Sequence, residues 1–128
     1  MESFKALLSK KKITHVDFGY AKFKVSFIGN LREGDDLCWG VSDFDAYEIR
    51  LDAGIPNEIG REVLLHEIMH GLLNFVGFGG YEDNTEGRRV EGGFVPETTN
   101  EFLTDSVTKG LLLVMKLNKK LFLEVLHD

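Results

Sequence analysis

From Glu58 to Val76 the apolar residues advance in steps of three and four, and inside this stretch stands His66-Glu67-Ile68-Met69-His70. That spacing predicts a helix, which sets two histidines four residues apart on one face, where both imidazoles reach a single metal ion. Ile59, Val63, His66, His70 and Leu73 fall on the same stripe, so the histidines sit where the pattern otherwise reads as core. Val63-Leu64-Leu65 before the pentad and Gly71-Leu72-Leu73 after it are uncharged, as suits a helix buried beneath a site. Glu67 stands beside the position such a metal keeps open and can take a proton from bound water. The chain must therefore fold so that one helix is covered on one side and reachable on the other.

A catalytic zinc takes three protein ligands and keeps one position for water, so His66 and His70 need a partner. Leu73 and Val76 stand where a metzincin carries glycine and a third histidine, which excludes that arrangement. Downstream lies Asn100-Glu101-Phe102-Leu103-Thr104-Asp105, in a region whose pattern is again helical. Glu101 and Asp105 are one turn apart there. Glu101 can complete a site of two histidines and a carboxylate, and Asp105 can accept a hydrogen bond from the outer nitrogen of a ligating histidine, fixing its tautomer. Glu97, one turn earlier, is the main alternative ligand. Cys38 is another, in the manner of a deformylase, although the accompanying motifs are missing and a strand cysteine beside Trp39 accounts for it. Glu82, Asp83, Glu86 and Glu91 belong to a glycine-rich stretch, residues 79–93, which suits a lid better than a ligand. His15 and His127 have no partner at ligand spacing.

The rest of the chain reads as strands. Val16, Phe18 and Tyr20, then Phe23, Val25 and Phe27, alternate with polar or small residues, predicting one long strand or a hairpin turning near Gly19 to Ala21. Leu37 to Val41 and Ala46 to Leu51 predict two more, and Asn57 is placed to cap the helix that follows. Residues 1–12 read as a short amphipathic helix or a loosely attached arm. After Pro96 the helical pattern runs to Leu117, breaks at Asn118-Lys119-Lys120 and resumes from Leu121 to Leu126.

At 128 residues the chain is expected to form a single domain with its own core. A net charge of −6 argues against a nucleic-acid partner, which calls for a basic stripe. The N-terminal segment lacks the apolar run of a signal peptide, no window is apolar enough to span a bilayer, and the single cysteine, Cys38, fits a reducing compartment. A cytoplasmic protein with no membrane partner is the expectation.

His66 to His70 together with Asn100 to Asp105 resembles the gluzincin metallopeptidases, which combine H-E-x-x-H with N-E-x-x-x-D on a following helix. The stretch from Tyr47 to Asn118 is also similar to small phage or prophage metallopeptidase-like proteins. The matching segments are Ile49-Arg50-Leu51-Asp52, Leu64-Leu65-His66-Glu67 and Gly110-Leu111-Leu112-Leu113-Val114 with Asn118. The resemblance implies a minimal zincin fold and a zinc peptidase activity. It supplies no match for the histidine and tyrosine that hold the oxyanion in thermolysin-like enzymes; Tyr81, Tyr47 and His127 are the side chains at hand.

The expected fold is α+β, a small twisted and mostly antiparallel sheet over the His66 helix, with the Glu101 helix crossing to close the site. The expected chemistry is Zn2+-dependent peptide hydrolysis, with His66, His70 and Glu101 as ligands, Glu67 as base and Asp105 behind the ligands. A peptide or protein substrate would lie along the Ala46 to Leu51 strand, near Tyr47, Ile49 and Tyr81. The other readings are a zinc-containing module that binds a host or phage partner in the same cleft without catalysis, and a deformylase-like amide hydrolase using Cys38.

Overall fold

The computed structural model describes residues 3–75 and 97–127, the side chains of Phe75 and of residues 97–105 excepted. The elements run α1 (Phe4–Lys11), β1 (His15–Asp17), β2 (Lys22–Ile28), β3 (Arg32–Glu33), β4 (Asp36–Leu37), β5 (Gly40–Asp43), β6 (Glu48–Asp52), α2 (Asn57–Phe75), α3 (Glu97–Leu117) and α4 (Lys119–Leu121), which continues as a π-helical turn, Phe122–Leu126. The fold is α+β, with two of the three strand pairings in its main sheet antiparallel.

The segment read as helix or arm is a docked helix. Ser3 caps α1 by accepting the Ala6 amide at 3.1 Å, and Lys12 closes it in the left-handed region at φ 59°. Phe4 is fully buried over α2. There it takes the space above Gly60, where a Cβ would lie 2.3 Å from its ring.

The predicted hairpin is β1–β2. Asp17 Oδ1 accepts the Gly19 amide at 2.8 Å, and Gly19 adopts φ 88°, a conformation costly for any side chain. From β2 the chain does not pair with its successor. It passes through the short β3–β4 ribbon, runs out along β5, and returns as β6 between β5 and β2, giving the order β1-β2-β6-β5. β6 is parallel to β2, with Val25 opposite Ile49 and Phe27 opposite Leu51, and antiparallel to β5, with Ser42 opposite Ile49 and Gly40 opposite Leu51. The expected strand from Leu37 to Val41 is in fact broken at Cys38 and Trp39: Leu37 pairs with Arg32, whereas Gly40 pairs with Leu51.

Alternation gives the sheet two unlike faces. Val16, Phe23, Val25, Ile49 and Leu51 are buried on one. The opposite face carries charge, where Arg50 meets Asp43 and Glu48 at 2.8 Å each. The turn from β6 into α2 is organised by Asp52, whose carboxylate accepts the amides of Leu31 and Gly54 at 2.8 and 2.9 Å.

α2 covers the apolar face with Gly60, Leu64, Glu67, Ile68, Gly71 and Leu72. This corrects the predicted core stripe: Ile59 and His66 are exposed, and the histidines flank the buried face. The difference arises at the glycines, which act as apolar positions because aromatic rings fill their notches. A Cβ on Gly71 would lie 2.4 Å from the ring of Phe18. Asn57 does not cap α2. The helical ladder starts at the Pro56 carbonyl, bonded by Gly60 N at 2.8 Å, so Asn57 is inside the first turn and its buried Oδ1 has no hydrogen-bond partner. α3 reaches α2 where Gly110 faces Leu72, and it reaches the hairpin where Leu113 and Leu117 face Gly19. No helix among the described residues is long and apolar enough to cross a membrane.

Candidate metal centre

The third and fourth turns of α2 bring His66 and His70 together with their Nε2 atoms 3.1 Å apart and their rings edge to face at a centroid distance of 4.7 Å. Two nitrogens each about 2.0–2.1 Å from one tetrahedral ion stand about 3.3–3.4 Å apart. The separation of the pair is close to that bite. His66 is exposed and His70 half-buried, so the open side faces solvent.

Glu67 is the buried charged side chain of the described core, 6% exposed. Its Oε1 accepts a hydrogen bond from Ser42 Oγ at 2.6 Å. One oxygen of Glu67 and one nitrogen of each histidine lie within 4.8 Å of one another, and this is the one cluster of potential metal ligands among the described residues. A carboxylate in such surroundings is stabilised by a nearby cation and by hydrogen bonds, and this site supplies one such bond and a pair of histidines able to hold the cation.

Ser42 belongs to β5, which stands against α2 at very short range. A Cβ on Gly40 would lie 2.7 Å from Val63 Cγ1 and 3.4 Å from Glu67 Cγ, so only glycine lets the strand approach this far. Trp39 O accepts the Asp52 amide at 2.9 Å. Antiparallel pairs alternate, so the peptide groups of Gly40 and Ser42 point away from β6. No strand among the described residues pairs with that outer side.

The predicted substrate strand is corrected by this topology. β6 is an interior strand, occupied on both sides by β2 and β5, and Ile49 is fully buried; a peptide has no free edge there. Tyr47 is half exposed in the β5–β6 turn at φ 53°, its ring 5.5 Å from that of Phe23. Tyr81 and the acidic residues Glu82, Asp83, Glu86 and Glu91 lie outside the described residues. Glu97, Glu101 and Asp105 are carried by α3, Glu101 and Asp105 one turn apart as expected, and their side chains fall outside the description.

Cys38 is half-buried and stands outside the histidine cluster. Burial pushes its thiol up, and the negative charges of Glu33, Glu67 and Asp52 push the same way. It lines, with Asn30, Leu37, Trp39 and Asp52, a pocket of about 340 Å3 at the start of β5. His15 is engaged with Thr14, its Nδ1 2.8 Å from the Thr14 hydroxyl.

Two neighbours of the site were not expected from the sequence. One is Ser42, 25 residues from Glu67. The only available signal was alternation along β5, which puts Gly40 and Ser42 on the helix side. The other is Tyr20, whose hydroxyl donates to the Gly71 carbonyl at 3.3 Å, one residue beyond His70. Burial pushes that hydroxyl up, against a lowering hydrogen bond with Asn74.

Comparison with protein-family models, with curated proteins and with solved structures returned no match to this chain.

Proposed function

We propose that the chain is a zinc-dependent peptidase of the gluzincin type with a minimal zincin fold. The observation that carries this reading is the 3.1 Å separation of the two Nε2 atoms beside a buried glutamate. A structural zinc site has four protein ligands and no use for such a base. His66 and His70 would hold the ion, with Glu101 as the third ligand and Asp105 orienting a histidine. Zinc bound there polarises the scissile carbonyl and lowers the pKa of its water towards ~7.

Glu67 takes the proton of the attacking water and delivers it to the leaving amine as the C–N bond breaks. The outward peptide groups of Gly40 and Ser42 offer an extended substrate two positions for backbone hydrogen bonds, directly alongside Glu67. The pocket beside Leu37 and Trp39 lies at the end of this edge and can accept an apolar side chain.

The test compares the zinc-loaded parent with Glu67→Gln on casein and on a proteome-derived peptide library. Zinc affinity should be nearly unchanged and hydrolysis reduced ~10²–10⁴-fold, the usual contribution of a general base. Turnover at the parental rate in the variant rules the mechanism out.

A further inference from the structure

We infer that Ser42 is a positioning residue for Glu67, holding one carboxylate oxygen on the edge strand so that the base stands beside the metal and does not become its ligand. The inference rests on the peptidase reading for its consequence in turnover; its geometry stands independently. The Ser42–Glu67 contact of 2.6 Å is within the range of a hydroxyl bonded to an ionised carboxylate. Ser42 is itself fixed: it lies in β5 opposite Ile49, so the ladder to β6 determines where its side chain points. Gly40, two residues earlier on the same face, lets the strand close on Val63 and Glu67.

Restraint matters at this position because Glu67 has three rotatable side-chain bonds and a carboxylate oxygen within 4.8 Å of both ligand nitrogens. A small rotation brings a free carboxylate into the coordination shell of a dication, and a coordinated carboxylate no longer accepts the water proton. Ser42 opposes that rotation by engaging Oε1 from the strand side, which leaves Oε2 for the water. The same short strand presents its outward peptide groups to substrate, so one element sets the position of both the base and the chain it acts on.

The experiment loads the protein with Co2+ alone, which reports coordination through its visible absorption, and compares Ser42→Ala with Ser42→Thr in the parent and in the Glu67→Gln background. Threonine keeps the hydroxyl and suits a strand. Ser42→Ala should change the Co2+ spectrum as Glu67 joins the metal, Ser42→Thr should retain the parental spectrum, and Ser42→Ala should change nothing once residue 67 is glutamine. On casein, Ser42→Ala should lower kcat roughly 10–100-fold with KM little altered, the scale on which groups behind the ligands act. An unaltered Co2+ spectrum in Ser42→Ala overturns the inference, as does a change that persists in the Glu67→Gln background. If the spectra follow the expected pattern while the parent cleaves neither casein nor any member of the peptide library, the positioning role stands and the peptidase reading fails. If the parent cleaves casein and Ser42→Ala matches its kcat, the peptidase reading stands and the role of Ser42 is refuted.

Discussion

Asn118 pairs with Asp17 as one strand residue pairs with another: Asp17 N donates to Asn118 Oδ1 at 2.8 Å, and Asn118 Nδ2 donates to the Asp17 carbonyl at 2.7 Å. The same amide donates to Val114 O at 2.7 Å. One side chain therefore joins the end of α3 to the β1–β2 hairpin across 101 residues of sequence. Asn118→Ala leaves those main-chain groups unmatched and should cost about 1–3 kcal/mol in urea unfolding. Asn118→Asp should be at least as harmful at neutral pH, because a carboxylate would face the Asp17 and Val114 carbonyls. Parental stability in both variants would show that water replaces the amide without loss.

The ligand assignment makes an ordered prediction. Glu101→Ala should weaken zinc binding most among the acidic variants, and Asp105→Ala by something like ~10–100-fold. Glu97→Ala and Cys38→Ser should stay near the parental affinity in a competition titration with a chelator. A larger loss at Glu97 would shift the ligand by one helical turn, and a larger loss at Cys38 would favour the deformylase-like arrangement.

His66→Ala combined with His70→Ala should abolish the single zinc expected per chain. The parent should release that zinc on acidification as its histidines take up protons. Metal analysis after dialysis decides this: zinc retained in the double variant places the metal elsewhere.

Glycine-to-alanine changes should separate by what they meet. Alanine is favoured over glycine in a helix interior by about 1 kcal/mol. At Gly110 the new methyl would lie 3.1 Å from Cδ2 of the buried Leu72, which must give by only a few tenths of an ångström, so the net change should be small. At Gly71 it would lie 2.4 Å from the buried ring of Phe18, and overpacking of about 1–3 kcal/mol should outweigh it. Thermal unfolding that ranked Gly71→Ala above Gly110→Ala would contradict the packing.

The charged face of the sheet gives a pH signature. Asp43 is held below the usual carboxylate range first by the Ala46 amide and then by Arg50. Glu48 is held low first by the Ser26 hydroxyl and then by Arg50. A lowered folded pKa contributes stability above the unfolded value near ~4 and loses it as pH falls through the folded value. Arg50→Met should therefore unfold earlier than the parent at neutral pH, and the gap should close on acidification below about pH 4. A gap of constant size across that range would show that Arg50 acts through packing alone.

Much of the centre was legible because it lies on one helix. His66, Glu67 and His70 are related by local spacing, and no knowledge of the remaining fold is needed to bring them together. The hairpin was legible for the same reason, since Gly19 and the residues around it carry the turn. What alternation could not reveal was partnership. It marked Ala46 to Leu51 as a strand, yet it could not show that β6 would enter between β2 and β5 and leave Ile49 enclosed. Ser42 was missed because the expected strand ended at Val41, whereas β5 runs Gly40–Asp43. The buried face of α2 was misplaced because the stripe through Ile59, Val63, His66, His70 and Leu73 left out Gly60 and Gly71, whose notches are filled by Phe4 and Phe18.

Those two glycines bear on the order in which the protein comes together. With two positions each about 1 kcal/mol poorer than alanine, α2 cut out as a peptide would hold its helix weakly, and the histidines would seldom meet. The phenyl rings that seat it belong to segments synthesised before it, so a growing chain has the template ready when the pentad emerges. α3 follows, and the tie to the hairpin through Asn118 must await its final turn. Under the proposed zinc reading, the two histidines would be organised by what is already made, while the proposed third ligand would arrive only as the molecule closes.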